Sequence, residues 1–263
     1  MSTPLVSFVI PAFNEQALIG RCLKAITAEI ANTKCTAEII VVNNRSTDDT
    51  RRVVSLFPEV IIIDEPIRGL VQARQTGYLN ATGKCLANID ADTIPPPGWL
   101  PKALSAFEQD PDLVALSGPL NYYDMSQLVR CYVFTFYIFA YLIYLAVRYV
   151  FNIGSILQGG NFVVRKQALD AAGGFNTAFQ FYGEDTEIAC RMSRFGSVKF
   201  SFSLTAFSSG RRLKTEGLLI VAIRYSLNYF WVLLFDTPFT LAWSDIRIQL
   251  NPEVRNAAFG PAQ

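Results

Sequence analysis

Lys84-Cys85-Leu86-Ala87-Asn88-Ile89-Asp90-Ala91-Asp92 is the stretch that decides the fold: a short apolar run closing on two carboxylates one residue apart. Pro95-Pro96-Pro97-Gly98 follows, so the run reads as a buried strand ending in a turn. Strand side chains alternate between faces, and Asp90 and Asp92 are therefore expected to point the same way and to share one hard cation. An Asp pair at a strand end is also ordinary turn chemistry, so its meaning depends on what surrounds it.

Outward from this run the chain alternates between strand and helix signals. Residues 5–10 read as a buried strand, and Asn14 is expected to cap a helix whose apolar positions Leu18, Ile19, Cys22, Leu23, Ile26 and Ile30 keep the 3.6-residue period. Residues 38–42 give a second strand. Ser46 and Asp49 are expected to form a capping box for a helix carrying Val53, Val54 and Phe57, before a third strand at 60–63 and a helix at 69–80. Such β-α-β alternation predicts a mainly parallel sheet, with ligands gathering outside the carboxyl ends of its strands. The unusual loops fall at those ends: Pro11-Ala12-Phe13-Asn14-Glu15, Asn43-Asn44-Arg45-Ser46, Arg68-Gly69 and Asp90-Ala91-Asp92.

The composition removes other classes. With 23 basic and 22 acidic residues the formal net charge of the 263-residue chain is +1, which gives no general attraction for nucleic acid. There is no histidine, so proton transfer falls to a carboxylate by default. The five cysteines (Cys22, Cys35, Cys85, Cys131 and Cys190) fit neither a disulfide framework nor a zinc spacing, and are expected as small core hydrophobes in a reducing compartment. The apolar run at 5–10 is cut short by Pro11, too soon for a secretory h-region, and a cytosolic location is expected.

Pro11-Ala12-Phe13-Asn14-Glu15, the V-V-x-N-x-S-T-D-x-T segment over 41–50, Gly69-Leu70-Val71-Gln72-Ala73-Arg74, Asp90-Ala91-Asp92 and Gly183-Glu184-Asp185 occur in an order and spacing that resemble the family 2 glycosyltransferases. The resemblance runs over about residues 5–212. It implies an α/β GT-A fold, Rossmann-like, and an inverting transfer from a nucleotide-sugar with the help of Mg²⁺ or Mn²⁺. By the same resemblance Pro11, Ala12, Asn14, Glu15 and Asn43 would hold base and ribose, and Arg74 would lie near the base or diphosphate. Asp90, with Ala91 beside it, would face the ribose and the metal. Asp92 would bind the cation that bridges the phosphates, neutralising the charge that builds on the leaving diphosphate. Many relatives carry Asp where this chain has Asn43, which changes the base edge that can be paired and leaves the nucleotide open.

The second half carries the acceptor chemistry. Residues 183–191 read as a helix N-terminus, with acids favourable for the dipole and Glu187 able to pair with Arg191. The resemblance makes Asp185 the general base, a role worth about 10²–10⁴-fold in rate, and gives Glu184 an orienting part. Gly160 and Asn161, in a Gly-Gly-Asn turn before a helix at 167–172, are implied donor-sugar or acceptor contacts. Arg211 and Arg212 fall where processive relatives carry a Gln-x-x-Arg-Trp motif that this chain lacks, and two guanidiniums there are able to close over the diphosphate.

Two apolar stretches remain. Residues 131–147 are apolar or aromatic except for Thr135, nearly long enough to span a bilayer, but the flanking segments belong to one domain and a returning hairpin needs about 40 residues. An in-plane or partly buried helix fits better. Tyr137, Tyr141 and Tyr144 fall at i, i+4 and i+7, a stripe expected at a membrane interface. The stretch 218–235 is similar, and the mean hydropathy is +0.26. The expected organisation is a GT-A domain over 1–215 with an apolar helical insertion at about 125–152, then an apolar helix and tail over 216–263. The expected enzyme sits peripherally or monotopically on the cytoplasmic face of the plasma membrane, acting on a lipid-linked or saccharide acceptor. The alternatives are helices that pack on each other or in a homodimer, and a degenerate nucleotide-binding scaffold without turnover.

Overall fold

Strand β1 (Val6–Ala12) is buried along its whole length, which explains why its apolar run does not alternate: both faces of the sheet are covered. The computed structural model describes residues 3–149, 156–241 and 246. β1 is followed by α1 (Ile19–Thr33), β2 (Ala37–Asn43), α2 (Thr50–Val54), β3 (Val60–Asp64), α3 (Leu70–Asn80) and β4 (Cys85–Ile89). Then come α4 (Trp99–Gln109), β5 (Leu113–Ser117), β6 (Leu120–Tyr122), α5 (Gln127–Tyr149), β7 (Asn161–Arg165), α6 (Lys166–Ala171) and α7 (Glu184–Met192). β8 (Ser197–Phe200), β9 (Ala206–Ser208), α8 (Arg211–Glu216) and α9 (Leu218–Phe235) complete the order.

The main sheet runs β3-β2-β1-β4-β7-β5-β8, parallel except for β7, which is antiparallel to both neighbours. The predicted mainly parallel sheet is therefore present. The order reverses between β1 and β4, the strands that carry Pro11 to Glu15 and Asp90 to Asp92 beyond their carboxyl ends. A second pair, β6 with β9, lies over those ends and brings Ser208 to them. One apolar layer, with Phe8, Ile26 and Trp99, packs α1 and α4 on one face; another, with Val9, Phe162 and Ile188, packs α3 and α7 on the other.

Local details differ from the sequence reading where side chains found longer-range partners. Asn14 does not cap α1. It takes a left-handed φ of 53° and its Oδ1 accepts from the Thr47 backbone at 2.8 Å, tying the β1 loop to the β2 loop. The Ser46–Asp49 capping box is absent: Ser46 Oγ accepts from the Asn14 backbone, while Asp48 accepts from the Thr50 N–H at 2.9 Å. Cys131 is exposed, unlike the buried Cys22 and Cys85.

The tyrosine stripe of α5 faces inward. Tyr144 donates to the Val198 carbonyl at 2.9 Å, Tyr137 donates to Gln158 at 2.8 Å and stacks on Phe200, and Tyr141 meets Phe202 edge-on. It is the other side, with Leu128, Tyr132, Phe139 and Leu142, that is exposed. A stripe of aromatic rings with hydroxyls suits a protein groove as well as an interface, because each ring has an apolar body and a polar tip. Helix α9 buries Val221, Asn228 and Val232 and exposes Leu219, Ile223, Leu227 and Leu234. Both helices are long and apolar enough to cross a membrane, with only 17% of each apolar window buried.

Candidate active site

Four acids reach one cavity of about 670 Å³ from three different parts of the chain: Glu15, the pair Asp90 and Asp92, and Asp185. Each is placed by its backbone. β4 ends at Ile89, and Asp90 opens a turn in which the Thr93 N–H donates to the Asp90 carbonyl at 2.9 Å. The turn, and not strand alternation, presents both Asp90 and Asp92 to the cavity. Gly160 is required beside them: its φ is +76°, and a Cβ there would lie 2.3 Å from Asp90 Oδ2. Gly183, also left-handed, opens α7, and a Cβ on it would strike Val232 of α9 at 2.6 Å. Helix α9 thereby seats against the turn that aims Glu184 and Asp185.

The acids are distributed between two guanidiniums. Arg74, on α3 and only 1% exposed, donates to Glu184 and, at 3.0 Å, to Asp90. Arg211, at the start of α8, lies 3.0 Å from Asp92 and forks onto both carboxylate oxygens of Glu15, one of them at 2.9 Å. Asp92 also accepts from the Ser208 hydroxyl at 3.2 Å. Asp185 carries no guanidinium; its two oxygens accept from the backbone N–H groups of Gly159 at 3.3 Å and Thr186 at 2.9 Å.

Burial sets the protonation behaviour. It pushes Glu184 up to about 7, with Arg74 pulling the other way and Asp185 adding to the rise. Asp185 is raised above the ordinary aspartate range, again by burial first, against the two backbone donors and Arg74. Arg74 and Arg211 are held charged by the acids they touch, despite their own burial.

Pro11, Glu15, Asp90, Ala91, Asp92, Asp185, Arg211 and Arg212 all line the cavity, so most of the residues singled out from sequence come together. Others do not reach it. Asn161 is fully buried: its amide donates to the carbonyls of Gly118, Pro119 and Leu204 and accepts from Trp99 Nε1 at 3.0 Å, so it pins β7 to the loops beneath the site. Asn43 donates to Asp64 at 2.8 Å. Asn44 instead, with Pro11, Ala12, Phe13, Arg68 and Phe181, lines a small recess beside the main cavity, where the Arg68 guanidinium lies 3.6 Å over the Phe13 ring. Arg212 pairs with Glu216 and lies over Phe181 at 4.5 Å.

Sequence reasoning passed over Ser208, Gln158 and Tyr122, which also line the cavity. Ser208 had no local signal, since β9 meets the site only by pairing with β6. Residues of α5 and α9 line the same cavity, among them Phe136, Ala140, Leu218, Ala222 and Tyr225. Its volume lies within the usual 300–1,000 Å³ of ligand sites.

Among the described residues no three acid, cysteine or histidine side chains gather as a ready-made metal cage. Two carboxylates on one cavity wall nevertheless match the donor set of a divalent cation that takes one or two acids and completes its shell with phosphate oxygens.

A mainly parallel sheet with one reversed strand, carrying acids beyond β1 and β4 and a covering pair β6–β9, is the GT-A architecture of nucleotide-sugar glycosyltransferases. Residues 7–173 match the family described as "Glycosyl transferase family 2", and the chain belongs to that family. Over 107 residues it is 35% identical to glycosyltransferase AglE of Haloferax volcanii, covering 39% of this chain and 35% of that protein. Over 124 residues it is 29% identical to the undecaprenyl-phosphate 4-deoxy-4-formamido-L-arabinose transferase of Sodalis glossinidius, covering 43% of this chain and 38% of that one. The chain thus spans little more than a third of the length of these curated relatives, 35% and 38%. The mannosyltransferase PcManGT of Pyrobaculum calidifontis, solved in complex with GDP-Man and Mn²⁺, has the same fold, with a TM-score of 0.62 at 22% identity over 80% of this chain and 58% of that one.

Proposed function

We propose that the chain is an inverting, cation-dependent glycosyltransferase that moves a sugar from a nucleotide-sugar to a lipid-linked acceptor at the cytoplasmic face of a membrane. The observation that carries this reading is that a single cavity is lined both by the acids and by apolar residues of α5 and α9. Those helices also expose apolar residues that do not line the cavity, including Leu128, Leu142, Leu227 and Leu234. Such a surface, on helices that also line a polar site, suits an acceptor with a long apolar chain and a polar end. The Sodalis relative carries undecaprenyl phosphate, a lipid, in its name, which supports a lipid-linked acceptor.

In this reading the recess lined by Ala12, Asn44 and Arg68 takes the base, and Asp92 with Asp90 holds the cation. When bound, that ion neutralises the diphosphate that leaves. Asp185 takes the proton from the acceptor hydroxyl as its oxygen attacks the anomeric carbon on the face opposite the leaving group. Its raised affinity for protons suits this, because a base poised nearer neutrality transfers the proton more readily. Glu184, tied up by Arg74, fixes the start of α7 and the position of its neighbour.

The test is thermal unfolding of detergent-solubilised protein with UDP-, GDP-, CMP- and dTDP-sugars, with and without Mn²⁺ or Mg²⁺, since a ligand that binds the native state raises its apparent stability. A shift with one donor that needs the metal is expected, and Asp92→Ala should abolish it in calorimetry. Unchanged metal-dependent affinity in Asp92→Ala refutes the cation assignment. Binding without transfer to any polyprenyl or saccharide acceptor moves the reading to a nucleotide-binding scaffold.

A further inference from the structure

Both oxygens of Asp92 have partners on the protein. Oδ1 accepts from Ser208 at 3.2 Å, and Oδ2 faces the Arg211 guanidinium at 3.0 Å. Arg211 is shared with Glu15, which is 4% exposed and takes both arms of the fork. Glu15 therefore pairs with Arg211, across 196 residues of sequence.

A divalent ion on Asp92 needs carboxylate oxygen at about 2.0–2.6 Å. A guanidinium on Oδ2 takes one of the directions in which a cation would bind that oxygen, and two positive charges that close repel in a site largely shielded from water. Arg211 can yield without leaving the protein, because Glu15 alone offers it a complete bidentate partner.

We infer that Arg211 is a positioning residue that competes with the divalent cation for Asp92, holding the carboxylate in place and withdrawing onto Glu15 when the cation arrives with the diphosphate. This rests on the reading of Asp92 as a cation ligand. The consequence is an order of binding. A cation alone must displace a guanidinium with only the carboxylates of the site to compensate the added charge, whereas a cation carried on a diphosphate brings further negative charge of its own.

The experiment titrates Mn²⁺ alone into the full chain and follows the free ion by electron paramagnetic resonance. Wild type should bind weakly, and Arg211→Ala about ten- to hundredfold more tightly, the usual size of one charge-assisted hydrogen bond. Adding Asp92→Ala to Arg211→Ala should remove the gain. Because Arg211→Ala leaves Glu15 buried and unpaired, Glu15→Gln/Arg211→Met is measured beside it. That variant neutralises both partners, removes Glu15 as a substitute ligand, is expected to fold, and should show the same gain. Equal Mn²⁺ affinity in wild type and Glu15→Gln/Arg211→Met, with binding still lost in Asp92→Ala, overturns the competition and leaves Asp92 a ligand. Binding that Asp92→Ala leaves untouched in every background overturns the cation reading and this inference together.

Discussion

Arg74→Met tests whether the site is held by a buried charge network. The guanidinium is 1% exposed, and the Glu184 side chain that it neutralises is 6% exposed, while Asp90 at 36% keeps contact with water. The main loss on removing Arg74 therefore falls on Glu184, one of whose oxygens already lacks a hydrogen bond among the described residues. Breaking a buried pair from one side costs about 3–5 kcal/mol, because an uncompensated charge is left behind. Neutralising both partners costs much less, so Arg74→Met/Glu184→Gln should recover about 2 kcal/mol or more.

The cost must also depend on pH. Glu184 already sits at about 7 through burial, and loss of Arg74 raises it further. A folded-state carboxyl raised above its unfolded value binds more protons in the native than in the unfolded state, so its contribution to stability is lost as pH rises through that window. Urea denaturation of the detergent-solubilised variant should then show a penalty relative to wild type that grows as pH rises above about 7, where Glu184 ionises in the wild type but is still protonated in the variant. A penalty under about 1 kcal/mol at the upper pH, below what an uncompensated buried charge demands, would refute the argument, as would a penalty independent of pH or a double variant no better than the single one.

Two further outcomes are expected. Asp185→Asn should keep cation-dependent donor binding and lose about 10²–10⁴-fold in transfer to a hydroxyl acceptor; normal single-turnover rates would remove Asp185 as the base, as would a wild-type rate with no acidic limb above the ordinary aspartate range. Leu142→Asp and Leu234→Asp lie on the exposed faces of α5 and α9, and each should lower partitioning to phospholipid vesicles about tenfold or more in flotation assays, the worth of one buried leucine. Vesicle binding equal to wild type in both variants would exclude these faces as the membrane contact.

The sequence by itself determined the alternation of strands and helices, the acids at the carboxyl ends of β1 and β4, and the glutamate–aspartate start of α7. These are short-range facts, written in periodicity and in a few residues on either side of each turn. Leu218–Phe235 was recognised as an apolar helix in the same way. It could not show which side of α5 faced the protein, because a tyrosine stripe is equally suited to an aromatic groove and to a lipid interface. Nor could it show that Asn161 points into the scaffold, that Asn14 ties two loops together, or that Arg74 joins Asp90 to Glu184 across 110 residues. The pairing of Glu15 with Arg211, 196 residues away, has no local signature either. Such contacts exist only once the sheet has brought distant loops over one cavity, and in that low-dielectric space a charge takes whichever partner the fold delivers. Tertiary structure therefore decided which acids are paired, which one is left to backbone N–H groups, and that acids and the apolar residues of α5 and α9 line one cavity.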